Sequence, residues 1–332
     1  MSGWELNKGS LKDYEVNDEK MWSLFKFVFS PASKKKSTYK FGLIKAILDN
    51  LLYGEETPSG LFISYKKLFS KFAENYWNLV VKYDLKQMIP DSFNRLSKIE
   101  MILKSYIENN KISAFMEFDS LADFDKEIIV KDISKECSKH VFGALYNDFE
   151  GMVYSFDKKA DGIILSYNAF LFMLKYKNVI DRLNYDAWAK LLEKINKDNP
   201  AVKYISEQDF TIAKQADFNL YRDLLRQEYK GNNCFYCGKK LNDTILVDYF
   251  VPWSFIKDDK LWNFVLACPD CNRIKNNLIP SNMFIDKIID RNNIIQKSQN
   301  TIIQTDFIDY SDDLLARICS YAKLSGIQEY RF

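Results

Sequence analysis

The chain has 332 residues, enough for two domains that each bury their own core. Its 47% hydrophobic and 28% charged residues are the balance of a folded soluble protein and exclude global disorder. With 47 basic and 45 acidic residues the net charge is only +2, so a polyanionic partner would have to be held by a local patch. No apolar run reaches the roughly 18 residues of a membrane span; the longest, 162–174, is broken by Ser166, Tyr167 and Asn168. Residues 1–10 are polar and lack a signal-peptide apolar stretch, so a cytoplasmic location and no membrane partner are expected.

From 39 to 196 the periodicity predicts mostly helix. Phe41, Ile44, Ile47, Leu48, Leu51 and Leu52 recur at three- and four-residue spacing, then Phe62, Tyr65, Phe69, Phe72 and Tyr76, then Phe93, Leu96, Ile99, Leu103 and Ile107. Asn184 reads as the N-cap of a helix carrying Trp188, Leu191, Leu192 and Ile195. No internal repeat is evident. Residues 1–205 are expected to be a helical region that recognises a target or a partner, with a protein partner or a homodimer formed through it. Beyond 205 the texture changes. Residues 216–229 read as a helix, 245–251 and 264–268 as short strands, and 269–276, 281–296 and 312–324 as helices. The fold class is therefore α+β, with a second domain over 206–332. Acidic and basic residues balance over 216–332, so the small positive charge sits upstream.

Only one histidine is present, His140, which removes every mechanism that needs two. It lies in a helical pattern, remote in sequence from the motifs below. Of six cysteines, Cys137 and Cys319 stand alone, and four form Cys234-x-x-Cys237 and Cys268-x-x-Cys271, about thirty residues apart. In a cytosolic chain such pairs are metal ligands rather than disulfides. A two-residue spacer lets both thiolates reach one tetrahedral ion at about 2.3 Å, and Gly238 relieves the turn. Four sulfurs leave the ion no open position, so this Zn²⁺ is expected to be structural.

Between the pairs lie Val247-Asp248-Tyr249-Phe250-Val251-Pro252-Trp253-Ser254-Phe255, Asp258-Asp259 and Trp262-Asn263-Phe264, followed by Cys271-Asn272-Arg273-Ile274-Lys275-Asn276. This stretch resembles the HNH (His-Me finger) endonucleases, in their four-cysteine, zinc-braced form, over about a fifth of the chain. The resemblance implies a ββα-metal site. Asp248 would be a metal-binding carboxylate, Asn272 the second ligand, and Asn263 the residue that braces the loop and orients the general base. Asn276, one turn on, is an extra candidate ligand. A carboxylate and amide oxygens suit Mg²⁺ or Mn²⁺, which can polarise a phosphodiester. DNA is the expected partner, with RNA not distinguished, and restriction or anti-phage defence the setting that the likeness to stand-alone prokaryotic nucleases suggests.

The family's general base is the histidine after the aspartate; here that position is Tyr249. A phenol of ordinary pKa near 10 stays protonated at neutral pH. Three readings stand open: an inactivating change in an otherwise intact nuclease, a working tyrosine of lowered pKa acting as base or nucleophile, and a domain retained only for DNA binding or scaffolding. Arg273 and Lys275 are candidate phosphate contacts, widened by Lys257 and Lys260 and by Lys239 and Lys240. Trp253 and Trp262 read as packing for a small zinc-braced core.

Overall fold

Six residues recur in kind at two places of the N-terminal half: Gly60-Leu61-Phe62-Ile63-Ser64-Tyr65 and Gly162-Ile163-Ile164-Leu165-Ser166-Tyr167. The structure, a computed structural model, describes residues 5–12, 16–113, 116–205, 218–229, 232–241 and 245–330. It divides into two units, Met1–Ile212 and Ala213–Phe332. Residues 206–217, where the expected boundary falls, lie outside the described residues.

The first unit runs β1 (Lys8–Gly9), α1 (Asp18–Phe29), α2 (Tyr39–Asn50), β2 (Glu55–Thr57), β3 (Gly60–Ser64), α3 (Tyr65–Trp77) and α4 (Lys98–Asn110), and continues with α5 (Asp123–Asp148), β4 (Tyr154–Asp157), β5 (Gly162–Ser166), α6 (Tyr167–Lys175) and α7 (Lys177–Ile195). Each recurring hexapeptide is a strand that runs straight into a helix. Its serine is the N-cap: Ser64 Oγ accepts from Lys67 N at 3.3 Å and Ser166 Oγ from Ala169 N at 3.2 Å. β3 and β5 pair antiparallel with Gly60 opposite Ser166, Phe62 opposite Ile164 and Ser64 opposite Gly162. That register maps onto itself when the strands are exchanged, which places a local pseudo-two-fold at the Phe62–Ile164 pair. The hairpin partners and β1 complete a five-stranded sheet, β1-β4-β5-β3-β2.

An internal repeat therefore exists, contrary to the sequence reading, and a sheet lies inside the region expected to be mostly helical. Phe62 fitted a helical stripe with Tyr65 and Phe69 only because its strand ends where the helix begins. Gly60 is what lets the strands approach. Its φ is +138°, and a Cβ there would lie 1.8 Å from the Leu165 carbonyl oxygen. Gly60→Ala is expected to destabilise this unit by more than about 1 kcal/mol, read as a lowered urea midpoint at unchanged slope.

Two helix boundaries also differ. α4 starts at Lys98, since Ser97 and Glu100 form a capping box. Phe93 and Leu96 precede it in an exposed turn in which Asp91 Oδ1 accepts from the backbone N–H of Phe93 and of Arg95, both at 3.1 Å. Asn184 is no cap. It sits buried inside α7, where its Nδ2 donates to the Phe41 carbonyl at 3.1 Å. Trp188, one turn on, joins Tyr76, Trp77, Phe69 and Phe72 in the core.

The second unit carries α8 (Phe218–Tyr229), β6 (Leu246–Tyr249), α9 (Trp253–Ile256), β7 (Phe264–Ala267) and α10 (Pro269–Lys275), then β8 (Ile279–Pro280), α11 (Asn282–Ile295), α12 (Thr301–Asp306), α13 (Asp312–Leu324) and β9 (Glu329–Tyr330). The expected strands and helices of this half stand at their places, although residues 216 and 217 of the first helix lie outside the described residues. The six-residue α12 was too short to show a period. β6 and β7 pair antiparallel, with Asp248 opposite Val265 and Tyr249 opposite Phe264. Among the described residues no helix is long and apolar enough to cross a membrane.

Candidate functional site

The four paired cysteines close on one point. Their sulfurs all lie within 4.8 Å of one another, and Cys237 Sγ stands 3.9 Å from Cys268 Sγ. A disulfide needs about 2.05 Å. Tetrahedral ligands at about 2.3 Å from a common ion sit about 3.8 Å apart, so the spacing fits a four-thiolate metal site. Two backbone features build the cage. Gly238 takes φ +72° and its N–H donates to the Cys234 carbonyl at 2.9 Å, closing the first knuckle. The Cys268 N–H points at Cys234 Sγ at 3.4 Å, tying the second pair to the first.

The cage fixes the end of β7 and the start of α10 beside β6. A cleft of about 440 Å³ opens there, walled by Asp248 and Tyr249 from β6, Pro252 and Trp253 from the following turn, and Asn272, Arg273, Asn276 and Asn277 from α10 and its exit. Behind it, Asn263 is fully buried. Its side chain grips Val251 twice, accepting from the Val251 N–H at 2.8 Å and donating to the Val251 carbonyl at 3.0 Å. The loop that leaves β6 is thereby pinned to the start of β7.

Residues 234–281, which contain the cage, the cleft and the brace, match the family model of HNH endonucleases. The C-terminal unit carries an HNH endonuclease domain. No curated protein and no solved structure matches the chain. A domain of this family acts on nucleic acid, and the HNH cleft brings together five of the residues singled out in the sequence: Asp248, Tyr249, Asn272, Arg273 and Asn276.

Asp248 is almost wholly buried at the foot of the HNH cleft. Its Oδ2 accepts from the Tyr236 hydroxyl at 2.6 Å and lies 3.2 Å from Lys275 Nζ. Burial pushes its carboxyl up; the Lys275 ammonium and the Tyr236 hydroxyl offset part of that rise. Lys275 is where the structure corrects the sequence reading. Its side chain is 0% exposed, so it cannot reach a phosphate. Nζ instead meets Asp248 and donates to the Tyr249 carbonyl. Arg273, two positions earlier on α10, takes the solvent side and keeps its charge on the cleft wall. Lys257 and Lys260 lie half-buried off the cleft wall.

Burial pushes the Lys275 ammonium down, with Asp248 opposing. Removing that ammonium would leave a buried carboxylate with no countercharge, held by the Tyr236 hydroxyl and the Tyr249 backbone N–H. Lys275→Met is therefore expected to destabilise the HNH domain by about 3–5 kcal/mol, seen in chemical denaturation, with metal content of the cysteine cage unchanged.

Tyr249 is half-buried, its ring edge-on to Phe264 (4.8 Å) and Phe218 (5.8 Å). Its hydroxyl donates to Asp259 Oδ1 at 2.5 Å. Burial first, then the neighbouring Asp259 charge, push the phenol well above its usual range. This runs opposite to the lowered pKa that a working base would need. The tyrosine is tied as a proton donor. Sequence reasoning assigned no role to Asp259, Tyr236 or Asn277. Asp259 was visible only as one of an acidic pair, and nothing in the spacing pointed it at residue 249.

Proposed function

We propose that this chain has the frame of a metal-dependent HNH DNA endonuclease in which Tyr249 stands where the general base is needed, so that cutting is very slow. The observation that carries the reading is the convergence of Asp248, Asn272 and Tyr249 on one cleft, with the phenol committed to Asp259. A carboxylate and the amide oxygens of Asn272 and Asn276 are hard donors that fit Mg²⁺ or Mn²⁺. Six waters at about 30 Å³ each leave room in such a cleft for a hydrated ion and a phosphate. When bound, the ion would polarise the scissile phosphate and stabilise the leaving oxygen. The chain's own residues do the rest. Asp248 holds its carboxylate against Lys275, and Asn263 fixes the loop that aims residue 249. Arg273 neutralises a phosphate on the rim, with Lys257 and Lys260 extending the basic surface along the backbone. Zn²⁺ in the cysteine cage is structural.

The Tyr249–Asp259 hydrogen bond also favours a second reading, a domain that binds DNA or scaffolds an assembly without cutting. In either case the N-terminal unit would select the target or a protein partner, and restriction or anti-phage defence is the setting the nuclease reading favours. Nicking of DNA by Tyr249→His in Mg²⁺ or Mn²⁺ separates the two.

A further inference from the structure

We infer that Trp253 is a stacking platform for an unpaired base beside the cut, so that the cleft takes a single-stranded or locally unpaired segment rather than an intact duplex. This rests on the nuclease reading above and names its substrate class.

Trp253 differs from the other tryptophans of the described residues. Trp77, Trp188 and Trp262 are at most 2% exposed, and their rings pack at 5.5, 5.0 and 5.9 Å from Phe118, Tyr76 and Tyr310. Trp22 packs on Phe172 and Tyr176 at 5.1 and 5.0 Å. Trp253 is 39% exposed, has no aromatic partner among the described residues, and stands in the cleft wall with Asp248, Asn272 and Arg273. The sequence reading of Trp253 as core packing is thereby set aside; Trp262 does have that role.

A single exposed apolar side chain is common and by itself says nothing. Here its mount and its neighbours do. Pro252 fixes the backbone before it, Asn263 holds both polar groups of Val251, and Phe255 and Ile256 bury the far side of α9 at 5% and 4% exposure. The indole is held out on a rigid base, so a ligand that stacks on it has little loop entropy to overcome. Beside it are a guanidinium that suits a phosphate and a carboxylate with amides that suit a hydrated cation. The ligand that matches a flat apolar ring, a cation and a metal-ready pocket within one cleft is a nucleotide. Inside a duplex both faces of a base are covered by its neighbours, so the indole can stack only on a base that has left the stack.

The test uses the intact chain in Ca²⁺, with fluorescence anisotropy of a labelled short oligothymidine and of a blunt duplex of equal length. Trp253→Leu keeps apolar bulk but removes the π-face. It is expected to weaken oligothymidine binding roughly 5- to 150-fold, the range for losing one base–aromatic stack, and to leave duplex binding within about twofold. Trp253→Phe keeps a π-face and should stay within a few fold of the parent. Oligothymidine should quench indole emission in the parent more than in Trp253→Phe. If Arg273→Ala weakens binding while Trp253→Leu does not, the stacking inference falls and the cleft reading stands. An equal loss on both probes, a Phe variant as weak as the Leu variant, or tighter binding of duplex than of oligothymidine also overturns it. If neither Arg273→Ala nor Trp253→Leu changes either affinity, the cleft is not the nucleic-acid site, and the nuclease reading falls with the inference.

Discussion

Cys271→Ser is expected to unfold the C-terminal unit and release its zinc. The four sulfurs lie within 4.8 Å of one another, and both knuckles are organised around that point by backbone hydrogen bonds. Structural zinc contributes about 10–16 kcal/mol to the folding of small metal-dependent domains. The whole stability of an ordinary domain is about 5–15 kcal/mol. Loss of one thiolate therefore removes a term as large as the entire margin. The cage also sets the site: Cys268 precedes α10, and Cys271 immediately precedes Asn272, so the cleft should be lost with the metal. Elemental analysis is expected to give one zinc per parent chain and none in the variant, with loss of far-UV signal from the C-terminal helices. Folded parent protein without zinc, or a Cys271→Ser chain that keeps its ion and its unfolding midpoint, would end the structural-zinc claim.

What could be read in advance follows from how each residue earns its place. The cysteine pairs, the two strands and α10 are local in sequence, and their spacing determines which side chains converge; the cleft assembled from 248, 249, 272, 273 and 276 reflects that. Asn263 was legible for the same reason, as the residue bracing the loop between strand and strand. Lys275 was misread because sequence counts a lysine as solvated. Only the packing of α10 on β6 reveals that position 275 faces inward to Asp248, while 273 faces out. Trp253 was misread in the opposite sense, since an indole flanked by apolar residues reads as core. In the N-terminal unit the repeat is faint in the sequence because its units share residue kinds over only six positions. The strands themselves are five residues long, too short to contrast with a helical period. The pseudo-two-fold register of β3 and β5 relates residues about a hundred positions apart, which no local pattern reports.

Tyr249→His is expected to raise metal-dependent nicking by about 10²–10⁴-fold, the usual range for a positioned general base. The frame for that base is otherwise in place. Asp248 sits beside residue 249 on β6, Asn263 pins the loop beyond it, and Asn272 lines the same cleft from α10. What the tyrosine lacks is basicity. Its hydroxyl is spent on Asp259, and burial together with that carboxylate holds the proton on, whereas an imidazole of ordinary pKa near 6.5 is largely free to accept one at neutral pH. Tyr249→Phe distinguishes the remaining accounts. Since the phenol does no proton transfer in the proposed frame, the Phe variant should cut no more slowly than the parent, and should lose only the Asp259 hydrogen bond, about 1–3 kcal/mol of stability. If instead Tyr249→Phe abolishes a measurable parental activity, the tyrosine itself works, as base or nucleophile, and the frame has been misjudged at its central residue. Nicking should be assayed on single- and double-stranded DNA, in Mg²⁺ and in Mn²⁺, with Asp248→Ala in the His background as the control that must be silent. A folded, zinc-loaded Tyr249→His chain that cuts neither substrate in either ion leaves the binding reading as the surviving one, because every other residue the reaction asks of the protein is already there.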